Sequence, residues 1–204
     1  MKEQGETNMG KIFVLIGASS AGKDTVMKKL LIETPHLAPL ISYTTRPPRE
    51  GEVDGVQYHF VDKKYIEEKE LSREVIEKRT YNTIAGEWIY ATLDSEDINL
   101  TGKSYVTIKD PRGAQKLKQY YGEENVVIIL IAVDDGIRLM RALTREMTQP
   151  TPHYKEMCRR FLADCEDFRD VKYDFVCENV DVIKCVQEVK RIIKENRKIT
   201  FINK

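Results

Sequence analysis

Lys11-Ile-Phe-Val-Leu-Ile-Gly17-Ala-Ser-Ser-Ala-Gly22-Lys23 joins an unbroken apolar run to a turn bounded by glycines and closed by a lysine. An apolar run ending at glycine reads as a strand buried on both faces, as in a parallel sheet. Gly17 to Lys23 fits G-x-x-x-x-G-K. In that pattern the glycines let backbone N–H groups curl around phosphate oxygens, the following helix offers its positive end, and the lysine reaches the β and γ phosphates. An ordinary strand-to-helix turn needs neither the lysine nor a second glycine at fixed spacing. Gly17, Ala18, Ser19, Ser20, Ala21, Gly22, Lys23, Asp24 and Thr25 are therefore the expected ATP-binding residues. Asp24 stands where Ser or Thr would ligate Mg²⁺, and two readings stay open. Either Asp24 favours the helix N-terminus while Thr25 contacts a phosphate, or Asp24 helps hold the metal. The first is preferred, because a carboxylate beside polyphosphate is repelled unless Mg²⁺ lies between them.

Outward from this stretch, apolar strands recur at residues 105–108, 126–132 and 175–177, with helical stretches at 23–33, 111–120, 134–147 and 182–195. Alternating strands and helices imply an α/β fold of the P-loop NTPase type, a parallel sheet flanked by helices. Residues 42–97 break the rhythm with short β-type pieces at 56–61 and 84–91 around a charged helical stretch at 63–69, and read as an inserted lobe. Residues 148–153, Thr-Gln-Pro-Thr-Pro-His, interrupt two arginine-bearing helical runs and read as the tip of a helical lid. The expected organisation is a leader without structure over 1–9 and one domain over 10–200. Its core is 10–41 and 102–200, its lobe about 42–98 and its lid about 141–162.

The 204 residues are 41% hydrophobic and 32% charged, enough for one core and too few for a second independent domain. Thirty-three basic against thirty-three acidic residues leave no net field to draw in nucleic acid or a membrane, so phosphate recognition must come from local groups of Lys and Arg. The polar, acidic start is unlike a signal peptide and no apolar run is long enough to span a bilayer, which leads to the expectation of a cytoplasmic protein, monomer or homodimer. Cys158, Cys165, Cys177 and Cys185 lack C-x-x-C spacing and companion histidines, so free thiols are expected.

Ser42-Tyr-Thr-Thr-Arg46-Pro-Pro-Arg49 holds two guanidinium forks on a proline-stiffened loop, with Tyr58 following, a plausible grip for a phosphate dianion. Together with the phosphate loop and the order of later elements, the run from Ser42 to Phe60 resembles the guanylate kinases from about residue 11 to 193. The resemblance implies a core with a small lobe that binds the nucleoside monophosphate and an arginine-bearing lid, phosphorylating GMP with Mg²⁺ and ATP. It implies that Arg46, Arg49, Tyr58 and Tyr90 bind the acceptor phosphate, that Ser42 and Thr92 contact guanine, and that Glu77 is the guanine-reading carboxylate. Lys78-Arg79 follow Glu77 where the family has Trp-Ala, and a solvated charge on a helix or hairpin is the other reading of Glu77. Asp110 matches the second acid of the family's Asp-x-Asp, whose first acid is Ile108 here. It would orient the acceptor or the metal's water shell, or else cap the helix after it.

Arg138, Arg141 and Arg145 recur at helical spacing, with Arg159-Arg160 beyond the proline-rich tip. They are either solvent-facing charges or, as the resemblance implies for Arg141, Arg145 and Arg160, lid residues that close on the triphosphate. Lys23, Arg46, Arg141, Arg145 and Arg160 are the expected catalytic set, since phosphoryl transfer is served mainly by positioning and cations. Two alternatives stay open: the same fold acting on another nucleoside monophosphate or a ribose phosphate, and a non-catalytic protein-interaction module.

Overall fold

The computed structural model describes residues 6–49, 51–83, 86–94 and 98–201. The chain runs β1 (Glu6–Met9), β2 (Ile12–Ile16), α1 (Lys23–Glu33), β3 (Leu37–Pro39), β4 (Ser42–Thr44), β5 (Tyr58–Phe60), α2 (Lys63–Leu71), β6 (Val75–Thr83) and β7 (Gly86–Leu93). It continues through β8 (Ser104–Ile108), α3 (Pro111–Tyr121), β9 (Val126–Ala132), α4 (Asp135–Met147), α5 (Tyr154–Asp167), β10 (Phe175–Glu178), α6 (Val182–Asn196) and β11 (Lys198–Phe201).

Five of these strands form an all-parallel sheet in the order β10-β9-β2-β8-β3. Because side chains alternate along a strand, Phe13 and Leu15 of β2 pack to one side with Val26 and Leu30 of α1 and with Val189 and Ile192 of α6. Ile12, Val14 and Ile16 pack to the other side with Ala114 and Leu117 of α3. Both faces are covered, which explains why β2, fully buried along its length, has no polar residue. As the central strand, β2 delivers residues 17–22 to the crevice beyond the carboxyl ends of the sheet, where α/β folds bind ligands.

A second sheet, in the order β5-β4-β7-β6, lies wholly between Ser42 and Leu93 and carries a small core of Ile66, Ile89, Ala91 and Leu93. This is the inserted mixed α/β lobe. The charged stretch expected as helical at 63–69 is α2, and β6, to which the sequence reading assigned no element, is a nine-residue strand in a hairpin with β7, with a register shift between Val75 and Glu77. Such a bulge re-aims the side chains beyond it. The start of the expected 84–91 piece lies outside the described residues. Two further differences stand out. Glu6–Met9, expected as part of an unstructured leader, pairs antiparallel with Lys198–Phe201, while residues 1–5 lie outside the described residues. The edge strand β3 escaped the sequence reading because it is three residues long and ends in Pro39, which only an edge tolerates.

Ile129 lies fully buried in the middle of β9, with strands on both sides. Ile129→Ala should lower unfolding free energy by about 2–5 kcal/mol in urea titration, and a loss under about 1 kcal/mol would contradict the packing described here.

Candidate active site

The loop after β2 is shaped by two close approaches. A side chain at Gly17 would put Cβ 2.5 Å from the Ile131 carbonyl oxygen, and one at Gly22, whose φ is +91°, would put Cβ 2.3 Å from Asn179 Nδ2. Asn179 Nδ2 donates to the Ala21 carbonyl at 2.6 Å, and Asn179 N donates to Ala132 O at 2.7 Å. The amide thus ties the end of β10 to the loop. Ser20 adopts φ +62°, and its buried Oγ has no partner among the described residues, as expected in a loop shaped to hold a ligand's oxygens. Lys23 Nζ folds back to the Gly17 and Ala18 carbonyls at 2.6 and 3.1 Å. Burial pulls the Lys23 ammonium below the ordinary lysine value, against Asp24 and Asp164, which favour its charge. Asp24 and Thr25 stand exposed on the first turn of α1.

The lid helices dock onto this loop. Asp164 of α5 accepts from Ser19 N at 2.8 Å, Arg160 Nη2 donates to Ser19 Oγ at 3.3 Å, and Arg141 Nη2 donates to the Asn179 carbonyl at 2.9 Å. Arg138, 4% exposed, bonds Asp135 and Asp164 and stacks 4.3 Å from the Phe161 ring centroid. Arg145 is exposed. A cavity of about 290 Å³ lies beside the loop, lined among others by Ala18, Ile131, Arg138, Asp164 and Phe168.

Across the crevice, the lobe presents the expected phosphate-gripping residues. Arg46, 3% exposed, donates from Nε to the Tyr90 hydroxyl at 3.2 Å and from Nη2 to Glu52 Oε1 at 2.9 Å, beneath the rings of Tyr58 and Phe60. Glu52 also accepts from the Arg49 backbone N–H at 2.7 Å, which fixes the turn and leaves the Arg49 side chain exposed. Tyr58 and Tyr90 meet edge to face at 5.6 Å. Burial raises the Tyr58 hydroxyl's pKa, and Tyr90 and Asp24 add to it, so the phosphate loop and the lobe share one field.

At the inner end of the lobe, Glu77 is not a solvated charge. It is 6% exposed on β6, and its Oε1 accepts from the Thr92 hydroxyl at 2.7 Å and from Lys109 Nζ at 2.8 Å. Lys109 Nζ also donates to Ser42 Oγ at 2.7 Å and to Thr92 Oγ1. Ser42, Glu77 and Thr92, the three residues expected at the base, therefore converge on one lysine. Asp110 caps α3 by accepting from Arg112 N and Gly113 N at 2.9 and 3.1 Å, and pairs with Arg79 at 2.9 Å. Burial would raise the Asp110 carboxyl, but Arg79 and those two N–H groups outweigh it and hold it below the ordinary value.

The comparisons with known proteins agree on one family. The guanylate kinase family model matches residues 9–196. The chain belongs to the guanylate kinase family. A protein named guanylate kinase from Symbiobacterium thermophilum is 30% identical, with 95% of this chain and 89% of the relative covered. One from Zymomonas mobilis subsp. mobilis is 31% identical over 95% and 89%. The fold is that of the crystal structure of guanylate kinase from Anaplasma phagocytophilum, at TM-score 0.69 and 22% identity, covering 96% of this chain and 90% of that one.

Three residues that shape the site here escaped sequence reasoning, Glu52, Lys109 and Asn179, while Arg138 was read only as one of a helical row of arginines. Lys109 carried the clearest signal, since a lysine directly after an apolar strand and before a helix-capping Asp110-Pro111 has little room to reach water. Asn179 carried none, because its value lies in a contact with a loop 158 residues earlier.

Because Asp110 is held low in the fold, its ionised form contributes stability above its unfolded pKa, lost as pH falls through the folded value. Arg79→Met should move Asp110 up toward the ordinary carboxylate value, so that less stability is lost on acidification and the loss is complete at a higher pH. Carboxyl-carbon NMR titration checks it, and an unmoved Asp110 would show that the capping N–H groups alone set its charge.

Proposed function

We infer that the protein transfers the γ-phosphoryl group of ATP to GMP, giving GDP and ADP. The observation that carries this is the pairing, in a guanylate kinase family chain, of the Lys23 loop with the Arg46–Tyr58–Tyr90 cluster across one crevice. The loop's backbone N–H groups and Lys23 bind the donor's β and γ phosphates. Arg46, Arg49, Tyr58 and Tyr90 hold the acceptor phosphate, with Arg46 fixed in advance by Glu52, and Ser42, Glu77 and Thr92 face the base. Arg141, Arg145 and Arg160 bring charge from the lid to the group in flight, a role worth about 10³ or more in rate in related chemistry. No general base is needed, because the acceptor phosphate is already an anion at neutral pH.

No group of three or more His, Cys, Asp or Glu that could hold a metal exists among the described residues. That fits a Mg²⁺ carried on substrate phosphates, which takes only one or two protein ligands. Asp24 and Thr25, exposed beside the loop, would hold it directly or through water. Asp110, committed to Arg79 and to the α3 cap, is the weaker claimant. When bound, the ion supplies positive charge to the developing oxyanions. Asp164, bonded to Ser19 N, must leave when donor phosphate enters, which links lid position to ATP binding. A charge-balanced, polar chain of this kind is read as acting in the cytoplasm on small nucleotides, as monomer or homodimer.

A coupled ADP-release assay with Mg-ATP and a panel of monophosphates tests the reading: GMP should be turned over and CMP and UMP should not. Lys23→Ala should abolish turnover with an unchanged urea midpoint, and undiminished turnover would sink the mechanism. Arg49→Ala, removing one charge-assisted grip on phosphate, should raise the KM for GMP by about 10- to 100-fold with kcat nearly unchanged, and an unmoved KM would take Arg49 out of the acceptor site.

A further inference from the structure

A lysine at the end of an apolar strand is costly to bury unless every charge and donor is matched. Lys109, 8% exposed, meets that condition in full: its ammonium has three N–H groups and three acceptors, Ser42 Oγ, Glu77 Oε1 and Thr92 Oγ1. Its backbone N–H goes to the Leu15 carbonyl at 3.2 Å, so the side chain projects from a fixed point on the core into the lobe. The consequence for Glu77 is asymmetric. Oε1 receives both Lys109 and Thr92. Oε2 has no hydrogen bond among the described residues and lies against Gly113, where an added Cβ would sit 3.4 Å away.

We propose that Lys109 sets the base specificity of this site by narrowing Glu77 from two acceptor oxygens to one, so that the enzyme reads the N1–H shared by guanine and hypoxanthine and is nearly indifferent to the 2-amino group. This rests on the placement of the base at Ser42, Glu77 and Thr92 given above. Guanine presents two adjacent donors, N1–H and the 2-amino N–H, which a carboxylate with both oxygens free would accept together. Hypoxanthine presents only N1–H. In a pocket built for two donors, the lost donor leaves a buried oxygen unpaired, and that penalty supports discrimination of about 10⁴ or more. Here Oε1 is already paired by the protein, so hypoxanthine leaves nothing unpaired and the penalty disappears. Adenine is excluded on separate grounds, because its N1 lone pair would face the lone pairs of Oε2.

The experiment compares GMP, IMP and AMP, measuring kcat/KM by ADP release and Kd by calorimetry for the wild-type chain and for Lys109→Met. The expected wild-type ratio of GMP to IMP is within about tenfold by both measures, with AMP at least about 10²-fold weaker. Lys109→Met frees one of the two acceptor positions of Oε1 for the 2-amino group, the other staying with Thr92, and should raise the preference for GMP over IMP by tenfold or more, a change that a purely structural counter-ion would not produce. A wild-type preference for GMP above about 10²-fold, or a ratio unmoved in Lys109→Met, would overturn the proposal while leaving GMP phosphorylation intact. Because removing the lysine leaves a buried carboxylate without its cation, folding of the variant is checked by circular dichroism, and if it fails the wild-type ratios alone decide. Binding of GMP and IMP without turnover would overturn phosphoryl transfer, with the ratio of Kd values still deciding on Lys109. Binding of neither would overturn both.

Discussion

Everything at this site depends on one steric constraint: the backbone of residues 17–22 must come close enough to its neighbours to turn its N–H groups inward. Gly17 lies against the Ile131 carbonyl and Gly22 against the Asn179 amide, at distances no side chain could share. The glycines of the phosphate-binding pattern thus serve the fold before they serve a ligand. Because β2 is central and both its faces are buried, the loop is anchored by the best-packed part of the molecule. Asn179 extends that anchorage to β10, and Arg141 reaches the carbonyl of the same asparagine, so lid, loop and sheet edge meet at one residue.

A chain with no net charge keeps four cations at the site by pairing them with carboxylates. Arg46 has Glu52, Lys109 has Glu77, Arg138 has Asp135 and Asp164, and Arg79 has Asp110. Each pair offsets the desolvation that would otherwise expel or neutralise the cation. Arg49 and Arg145, by contrast, are exposed and form no salt bridge among the described residues. The division separates charges that shape the site from charges left available to phosphate.

The phosphate loop, four of the five parallel core strands and the arginine–tyrosine run were legible because they are local patterns: apolar runs, fixed glycine spacing, prolines beside arginines. Residues that act across the fold were not. A buried role for Glu77 was implied only by resemblance, with a solvated charge left open because Val-Ile-Glu-Lys-Arg-Thr has the charge density of a surface, and its partners Thr92 and Lys109 lie 15 and 32 residues away. Asp110 was legible in both of its readings, as an acid facing the site and as the cap of α3. The partner that governs it, Arg79, belongs to a strand the charge pattern concealed. Short edge strands such as β3 carry too few residues to show any period.

Arg79 also shows why lobe, core and lid are not independent. From β6 it reaches Asp110 at the start of α3 at 2.9 Å and Asp167 at the end of α5 at 3.6 Å, while its guanidinium lies 5.0 Å from the Tyr81 ring centroid. One side chain therefore touches all three parts. Any motion that opens the lid from the lobe must break the weaker Asp167 contact first and leave the Asp110 contact to keep β6, and with it Glu77, registered on the core. Glu77 is held by the core through Lys109, whereas the loop at Ser19 is held by the lid through Asp164 and Arg160. Under the function proposed above, such an arrangement would let the acceptor's base be read on a rigid frame while the lid arginines come and go.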